Sequence, residues 1–537
     1  MNLNDPKLLE FVLHEKQLKL VTEEIAAVAD ILLAGKEEDK DQFIVKLKTK
    51  LEHPLDDSVI KRLKDLQVEV EREEKNAFYL NVNAIKDLWT ILVEKSIIAL
   101  RFFDKREPYQ THNKTPKAYG IEELDKYFNK YAEFEGLLYG SSKSYRDHVI
   151  HVFRTWLVGI HILLHEYEKG QLLINLIGAD IVIDDQPKRR EDEGVEKKAE
   201  KAGEAEKQQD IFNFFEKLSM WTLTAMCHDL GYPLEKAQQV FNKTNEMLDY
   251  FITNSKSSLD VSFSGVQDYI NDYIVKFISS KMVTRFSNDN AGEGYVFTGR
   301  VQPKYYIKFS KSLEKYSHGI VSSIILYKSL VYFLEAEFNV NEDYYYNKEE
   351  CKQYYVRREI LRSIASHTCP DIYHLSSTSL NFLLIMCDDL QEWDRKKWGD
   401  FYKGKNLDER DVELEEFTPN SVKIKETIKK LNKKEIVSVI ESTYRQYEYY
   451  KKLYRDGLDT IKRTFSLQKS FIIDVAKEPE MKYTATFRIP KESSGDYKIQ
   501  ANKEETATFL KGQLEGRFKV SVEAGGKGLI IEQRLPH

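Results

Sequence analysis

Cysteine is scarce: only Cys227, Cys351, Cys369 and Cys387 occur among 537 residues, and no two stand in CxxC spacing. A disulfide framework is therefore not expected, and a reducing cytoplasm is the expected location. Long apolar runs are missing too. The cleanest stretches, such as Phe382 to Cys387, fall far short of the roughly 18 residues a membrane span requires. The opening MNLNDPKLLEF shows no basic start followed by an apolar run, so no secretory leader is expected. Neither sign of charge dominates, because 81 basic and 87 acidic residues leave a formal net charge of -6. That balance offers no global attraction to nucleic-acid backbones or anionic membranes and leaves room only for a local basic patch.

What is present suits a globular chain, with 42% hydrophobic and 31% charged residues. The length exceeds one ordinary core, so two or three domains are expected. Residues 1–135 read as a helical region. From Leu8 to Ala34 apolar residues recur at three- and four-residue steps before Gly35, and a second such helix runs from Ala84 to Phe103. The charged stretch from Lys64 to Lys75 reads as a solvated helix face. Residues 136–400 form an apolar helical core that carries most of the histidines. It is interrupted at 186–210 by seven basic and eight acidic residues without an aromatic. Such a segment cannot order itself as core and reads as an exposed insertion. Residues 401–477 read as a helical connector.

In the remaining 478–537 the period changes. Tyr483, Ala485, Phe487 and Ile489 alternate with polar residues, as do Phe518, Val520 and Val522, and a helix-like Glu504 to Leu514 lies between. The expected fold class is mainly α: a helical bundle core, an N-terminal helical region and a small C-terminal α+β appendage.

Five places carry candidate chemistry. In YRDHVIHVFRTWLVG, His148, Val152 and Trp156 fall at four-residue steps, with His151 sharing part of that face. In WTLTAMCHDLGYP, His228 and Asp229 close an apolar helix before Gly231 and Pro233. His318 opens a strongly apolar helix, and His367 closes another before Pro370. Asp388 and Asp389 follow six apolar or thiol residues, where carboxylates are costly to bury unless a cation offsets them.

The order His, His-Asp, His, His, Asp resembles the HD superfamily of metal-dependent phosphohydrolases over roughly residues 140 to 400. His148 is followed by a valine four residues on, His228-Asp229 by Leu-Gly, and Asp388 by Asp389-Leu390. The resemblance implies a bundle of about five helices holding one or two divalent cations. On it, His148, His228, Asp229 and Asp388 would hold the first ion, and Asp229 would bridge to a second completed by His318 and His367. His151 competes with His148 for the first position and otherwise serves beside Asp229 in catalysis. Imidazole and carboxylate ligands without thiolate suit Mn, Fe, Co, Ni, Zn or, more weakly, Mg. Such ions activate a water and neutralise phosphoryl charge.

Two departures from the family stand out. The 80 residues between His148 and His228 contain the charged insertion. Gly231-Tyr232-Pro233 does not mark the HD-GYP phosphodiesterases, whose GYP stands far downstream beside a paired histidine absent here. The further histidines usual after the HD of deoxynucleotide triphosphohydrolases are absent as well.

Other residues are weighed beside these. Arg395, His374, Lys315 and Tyr316 are candidate substrate contacts, each with a structural alternative; Asp371 and Lys311 are weaker. Asp389 and Asp394 read as solvated neighbours. His161 and His165 resemble a zinc pair without a third ligand and read as a packed or surface helix. Cys227 reads as a small buried hydrophobe. Tyrosines such as Tyr344 to Tyr346 and Tyr354-Tyr355 read mostly as packing. The expected function is a cytoplasmic hydrolase of nucleotide phosphoesters or phosphoanhydrides, leaning to a (deoxy)nucleoside triphosphate hydrolase. A cyclic-nucleotide or oligonucleotide phosphodiesterase and a catalytically inactive HD scaffold are the alternatives. Expected partners are a nucleotide substrate, no membrane and no bulk nucleic acid; homo-oligomerisation stays open.

Overall fold

The computed structural model describes residues 2–34, 39–73, 82–106, 116–141, 147–178, 181, 211–248, 250, 266–289, 292–335, 346–370, 372, 376–391, 393, 409–431, 436–455, 466–475, 482–489, 496–522 and 528–533. The protein is mainly helical. Among the described residues no helix is long and apolar enough to cross a membrane. The charged insertion at 186–210 lies outside the described residues.

After a two-residue strand β1 (Asn2–Leu3), helices α1 (Asp5–Leu13), α2 (Glu15–Leu33), α3 (Lys40–Lys50), α4 (Asp57–Glu73), α5 (Val82–Phe102) and α6 (Ile121–Ser141) follow. The continuous helix expected from Leu8 to Ala34 is broken at His14, whose extended backbone ends α1 and whose Nδ1 accepts from Lys16 N to cap α2. The break turns α1 so that Leu8, Leu9 and Val12 are buried, while Val21, Ile25 and Val28 bury a separate face of α2.

The central bundle contains α7 (Val149–Leu164), a small hairpin of β2 (Glu166–Glu168) and β3 (Gln171–Leu172), then α8 (Phe214–Cys227), α9 (Tyr232–Leu248) and α10 (Val266–Ile278). Every residue of α7 and α8 is buried. Three indoles fix the centre of the core. Trp89 Nε1 donates to Met226 O, Trp156 Nε1 to Thr222 Oγ1, and Trp221 Nε1 to Trp156 O, so large apolar rings are buried without stranding their polar atoms.

An antiparallel hairpin of ten-residue strands, β4 (Ser280–Asp289) and β5 (Gly292–Val301), interrupts this otherwise helical region. Helices α11 (Pro303–Glu314), α12 (His318–Ser329), α13 (Val331–Leu334), α14 (Lys348–His367) and α15 (Leu380–Leu390) complete the bundle. Two of these helices and α8 have strong start signals. Asn213 with Glu216 and Asn347 with Glu350 form capping boxes on α8 and α14, and Ser379 caps α15.

The strand-containing part is larger than the expected appendage of 478–537. The stretch read as a helical connector holds β6 (Glu409–Thr418), β7 (Ser421–Leu431), α16 (Ile436–Arg455) and β8 (Ser466–Val475). These join β9 (Lys482–Ile489), β10 (Asp496–Ala501), α17 (Glu504–Leu514), β11 (Phe518–Val522) and β12 (Gly528–Gln533) in one sheet of order β1-β6-β7-β8-β9-β10-β12-β11. Among the described residues its only parallel pair, β7 with β8, is joined through α16, as a parallel crossover requires. The two-residue period of β7 is hidden because an acid occupies an inward position. Val422, Ile424 and Ile428 are buried with Glu426 between them, and Glu426 pairs with Arg410 at 2.9 Å and Lys469 at 3.5 Å. Through β1, which pairs with β6, the start of the chain belongs to this sheet.

Candidate metal centre

Five helical elements deliver one or two donors each to a single point. His151 lies in the first turn of α7, His228 and Asp229 directly follow α8, and His318 opens α12. His367 ends α14, and Asp388 lies in the last turn of α15. Two overlapping sets, His151–His228–Asp388 and His228–Asp229–His367, each have ligand atoms within 4.8 Å of one another.

Two glycines permit this convergence. A Cβ on Gly231 would stand 2.4 Å from the carbonyl oxygen of His318, and one on Gly319 would stand 2.6 Å from Ile364 O and 3.0 Å from His367 Cε1. Only residues without a side chain let the segment after Asp229 press on α12, and α12 on the end of α14.

The imidazoles are oriented alike. Nδ1 of His228 faces Ala225 O at 2.7 Å, and Nδ1 of His367 faces Ile364 O at 2.6 Å. Nδ1 of His318 faces Glu235 Oε2 at 2.7 Å, and Nδ1 of His151 faces Gln391 Oε1 at 2.5 Å. All four partners are acceptors, so each Nδ1 carries the proton and each Nε2 presents a lone pair.

Those lone pairs point at two carboxylates. Nε2 of His151 is 2.8 Å from Asp388 Oδ1, and Nε2 of His228 is 4.0 Å from the same oxygen. Asp229 divides its oxygens. Oδ2 lies 3.5 Å from His228 Nε2 and 3.9 Å from His151 Nε2, while Oδ1 lies 3.3 Å from His318 Nε2 and 3.6 Å from His367 Nε2.

Lone pairs facing carboxylate oxygens repel unless positive charge lies between them. The buried Nε2 atoms of His228 and His367 have no hydrogen-bond partner, which is costly for polar atoms in a protein interior. Donors sharing one ion at about 2.1 Å stand about 3–3.5 Å apart, close to the separations here. The donor set therefore fits a metal ion.

Burial alone would raise the Asp229 carboxyl, but the imidazoles around it, His228 foremost, hold it well below the usual carboxylate range. Burial likewise opposes ionisation of Asp388, and the contact with His151 brings it down. Burial pushes His228 down to about 4, keeping it neutral. At His367 burial is outweighed by Asp229, and the net shift is upward. Glu235, despite burial, is held at about 2 by His318 and Lys236. The centre opens where Asp388 is 32% exposed, Glu235 24% and His318 19%.

His148 is in neither of the two donor sets. The weight placed on it over His151 came from helical spacing to Val152, but α7 begins at Val149 and His148 stands outside it as the N-cap. Its ring stacks on Tyr232 at 3.7 Å, and its backbone N–H donates to Glu135 Oε1 at 2.5 Å. His151, read as the competing ligand or a catalytic partner, occupies the donor position. Gly231 and Pro233, expected to stop the helix, stand beyond the end of α8 at Cys227, and a new helix, α9, begins at Tyr232.

Lys315 is exposed at the end of α11, and the half-buried Tyr316 turns the chain with a φ of 52° just before His318. His374, Arg395, Asp371 and Asp394 lie outside the described residues, as do Tyr344 and Tyr345. Tyr354 is buried, and Tyr346 makes a bridge to Phe297. His161 packs edge-on against Phe11 at 4.4 Å, and among the described residues His161 and His165 gather no third donor. Burial pushes the Cys227 and Cys387 thiols up, so both stay protonated. Sequence reasoning missed Glu235 and Gln391, whose importance is set by the rings they meet. No family model, curated protein or solved structure matches this chain.

Proposed function

We propose that the chain is an HD-type metal-dependent phosphohydrolase acting on a nucleotide phosphoester or phosphoanhydride. The observation that carries this reading is the divided Asp229 carboxylate, with one oxygen toward His151 and His228 and the other toward His318 and His367. Two divalent cations sharing that carboxylate would activate a water and neutralise charge on the phosphoryl oxygens. The protein's own contribution is preorganisation. Gln391, Glu235 and two helix-end carbonyls fix the imidazoles before substrate arrives, so little reorganisation remains to be done. Without thiolate ligands the set suits Mn, Fe, Co, Ni, Zn or, more weakly, Mg. The choice of a nucleotide rests on the motif resemblance, with a (deoxy)nucleoside triphosphate as the leading substrate and a phosphodiester as the other.

Elemental analysis after reconstitution with Mn, together with turnover of dNTPs, NTPs and cyclic dinucleotides, tests the reading. Bound metal and a hydrolysed product are expected, with released triphosphate, phosphate or linear nucleotide naming the bond. Asp229→Ala should remove metal and lower turnover by more than the ~10–100-fold typical of changing an outer-shell partner, while leaving the fold intact. A well-folded preparation that takes up no transition metal would establish the non-catalytic scaffold instead.

A further inference from the structure

We infer that α11 is a track for the phosphodiester backbone of single-stranded nucleic acid leading to the metal centre. This inference rests on the phosphohydrolase reading and takes its phosphodiester branch. Between Pro303 and Tyr316 stand Lys304, Lys308, Lys311 and Lys315 against the single acid Glu314, in a chain whose net charge is -6. At 100° per residue the four lysines fall within about 60° of one another, forming one stripe about 16 Å long. Lys304, Lys311 and Lys315 are exposed and Lys308 is half-buried.

Some exposed lysines elsewhere on the surface stand beside acids, as in Lys19–Glu23, Lys130–Glu133, Lys276–Asp272 and Lys511–Glu515. Among the described residues Lys311 and Lys315 meet no carboxylate at ion-pair distance. Service to the helix dipole does not account for the stripe, because that effect favours cations in the last turn and Lys304 stands in the first.

The stripe ends just before His318, one of the donors. Lys315 precedes His318 by three residues, and the middle of α11 is tied to the segment after His367 by Cys369 Sγ on Lys308 O at 3.9 Å. At the far end, Arg362, five residues before His367 on α14, lies 4.4 Å over the Tyr305 ring, which also takes Lys304 at 4.9 Å. Among the described residues Arg362 has no carboxylate at ion-pair distance either. A run of about 16 Å is longer than one phosphate group and spans more than one phosphate of a strand. That is a polymer's length rather than a single phosphate's. Ile307, 52% exposed on one side of the stripe, offers an apolar rest for bases.

The test is fluorescence anisotropy of labelled 15-nucleotide oligothymidylate and oligouridylate with the full chain in EDTA. Binding is then read without turnover, separately from the phosphohydrolase reading. Lys311→Glu/Lys315→Glu should weaken at least one oligonucleotide ~10-fold or more and reduce its salt slope by about 1.4. Arg362→Gln should also weaken it. Lys61→Glu/Lys64→Glu on the exposed face of α4 carries the same charge change and should have little effect. Absence of binding by both oligonucleotides would overturn the track, as would equal losses in the two double variants. Equal weakening of oligonucleotide and dTTP would overturn it too, since the stripe would then read one triphosphate.

Discussion

The side-chain oxygen of Gln391 lies 2.5 Å from Nδ1 of His151, while the Gln391 amide nitrogen donates to Trp393 O at 3.0 Å. The second bond sets which way the amide points, and the first sets which imidazole nitrogen carries the proton. Nε2 of His151 is thereby turned toward Asp388 as a lone pair. We expect Gln391→Leu to lower first-ion affinity ~10–100-fold, the usual cost of losing an outer-shell partner. Metal titration by calorimetry checks this, and unchanged affinity would leave Gln391 with a packing role only.

Glu235 does the same for the other half of the centre, accepting from His318 Nδ1 at 2.7 Å and from the His318 backbone N–H at 3.0 Å. Glu235→Gln is expected to weaken one of two ions by ~10–100-fold while the other stays bound. Metal counting at limiting free Mn separates the outcomes. Equal loss of both ions would contradict independent halves.

Asp5 holds Arg154 through both oxygens, at 2.9 and 2.6 Å, and also accepts from Trp393 Nε1 at 3.2 Å. It thus ties α1 to α7 and to the residue that orients Gln391. Asp5→Ala leaves a buried guanidinium unpaired and should cost ~3–5 kcal/mol. Urea unfolding of the metal-free protein measures that loss, and a change below 1 kcal/mol in ~25 °C buffer would show that Arg154 finds another partner.

His161 is pushed down from 6.5 to about 3 by burial and then by its neighbour His165. The folded state therefore resists a proton that the unfolded chain accepts. Its contribution to stability is complete above pH 6.5 and is lost as pH falls toward 3. His161→Phe should flatten the acid limb of a stability-against-pH curve for the metal-free protein over that window. A limb of unchanged slope would assign the acid sensitivity elsewhere.

Much of the architecture was legible in local pattern. The helix at Ala84 to Phe103, the alternation at Tyr483 to Ile489 and the helix from Glu504 to Leu514 appear within a residue or two of where periodicity put them. The region 401–477 was misread because charge masks alternation. A buried glutamate neutralised by Arg410 and Lys469 looks, in one dimension, like a solvated position. The β4–β5 hairpin was missed likewise, since its sequence mixes polar and apolar residues without regular alternation.

The amino-acid order by itself determined the residue types at the centre: four imidazoles and two carboxylates placed at the ends of apolar helices, where such groups are too costly to bury without purpose. Tertiary structure alone decided which histidine of the first pair meets Asp388, because His148 stands as the N-cap of α7 and His151 lies in its first turn. It also decided that Asp229 faces two ways, and that Gln391 and Glu235 matter at all. Hydrogen-bond direction depends on what the fold brings within 3 Å, and sequence spacing carries no record of that distance.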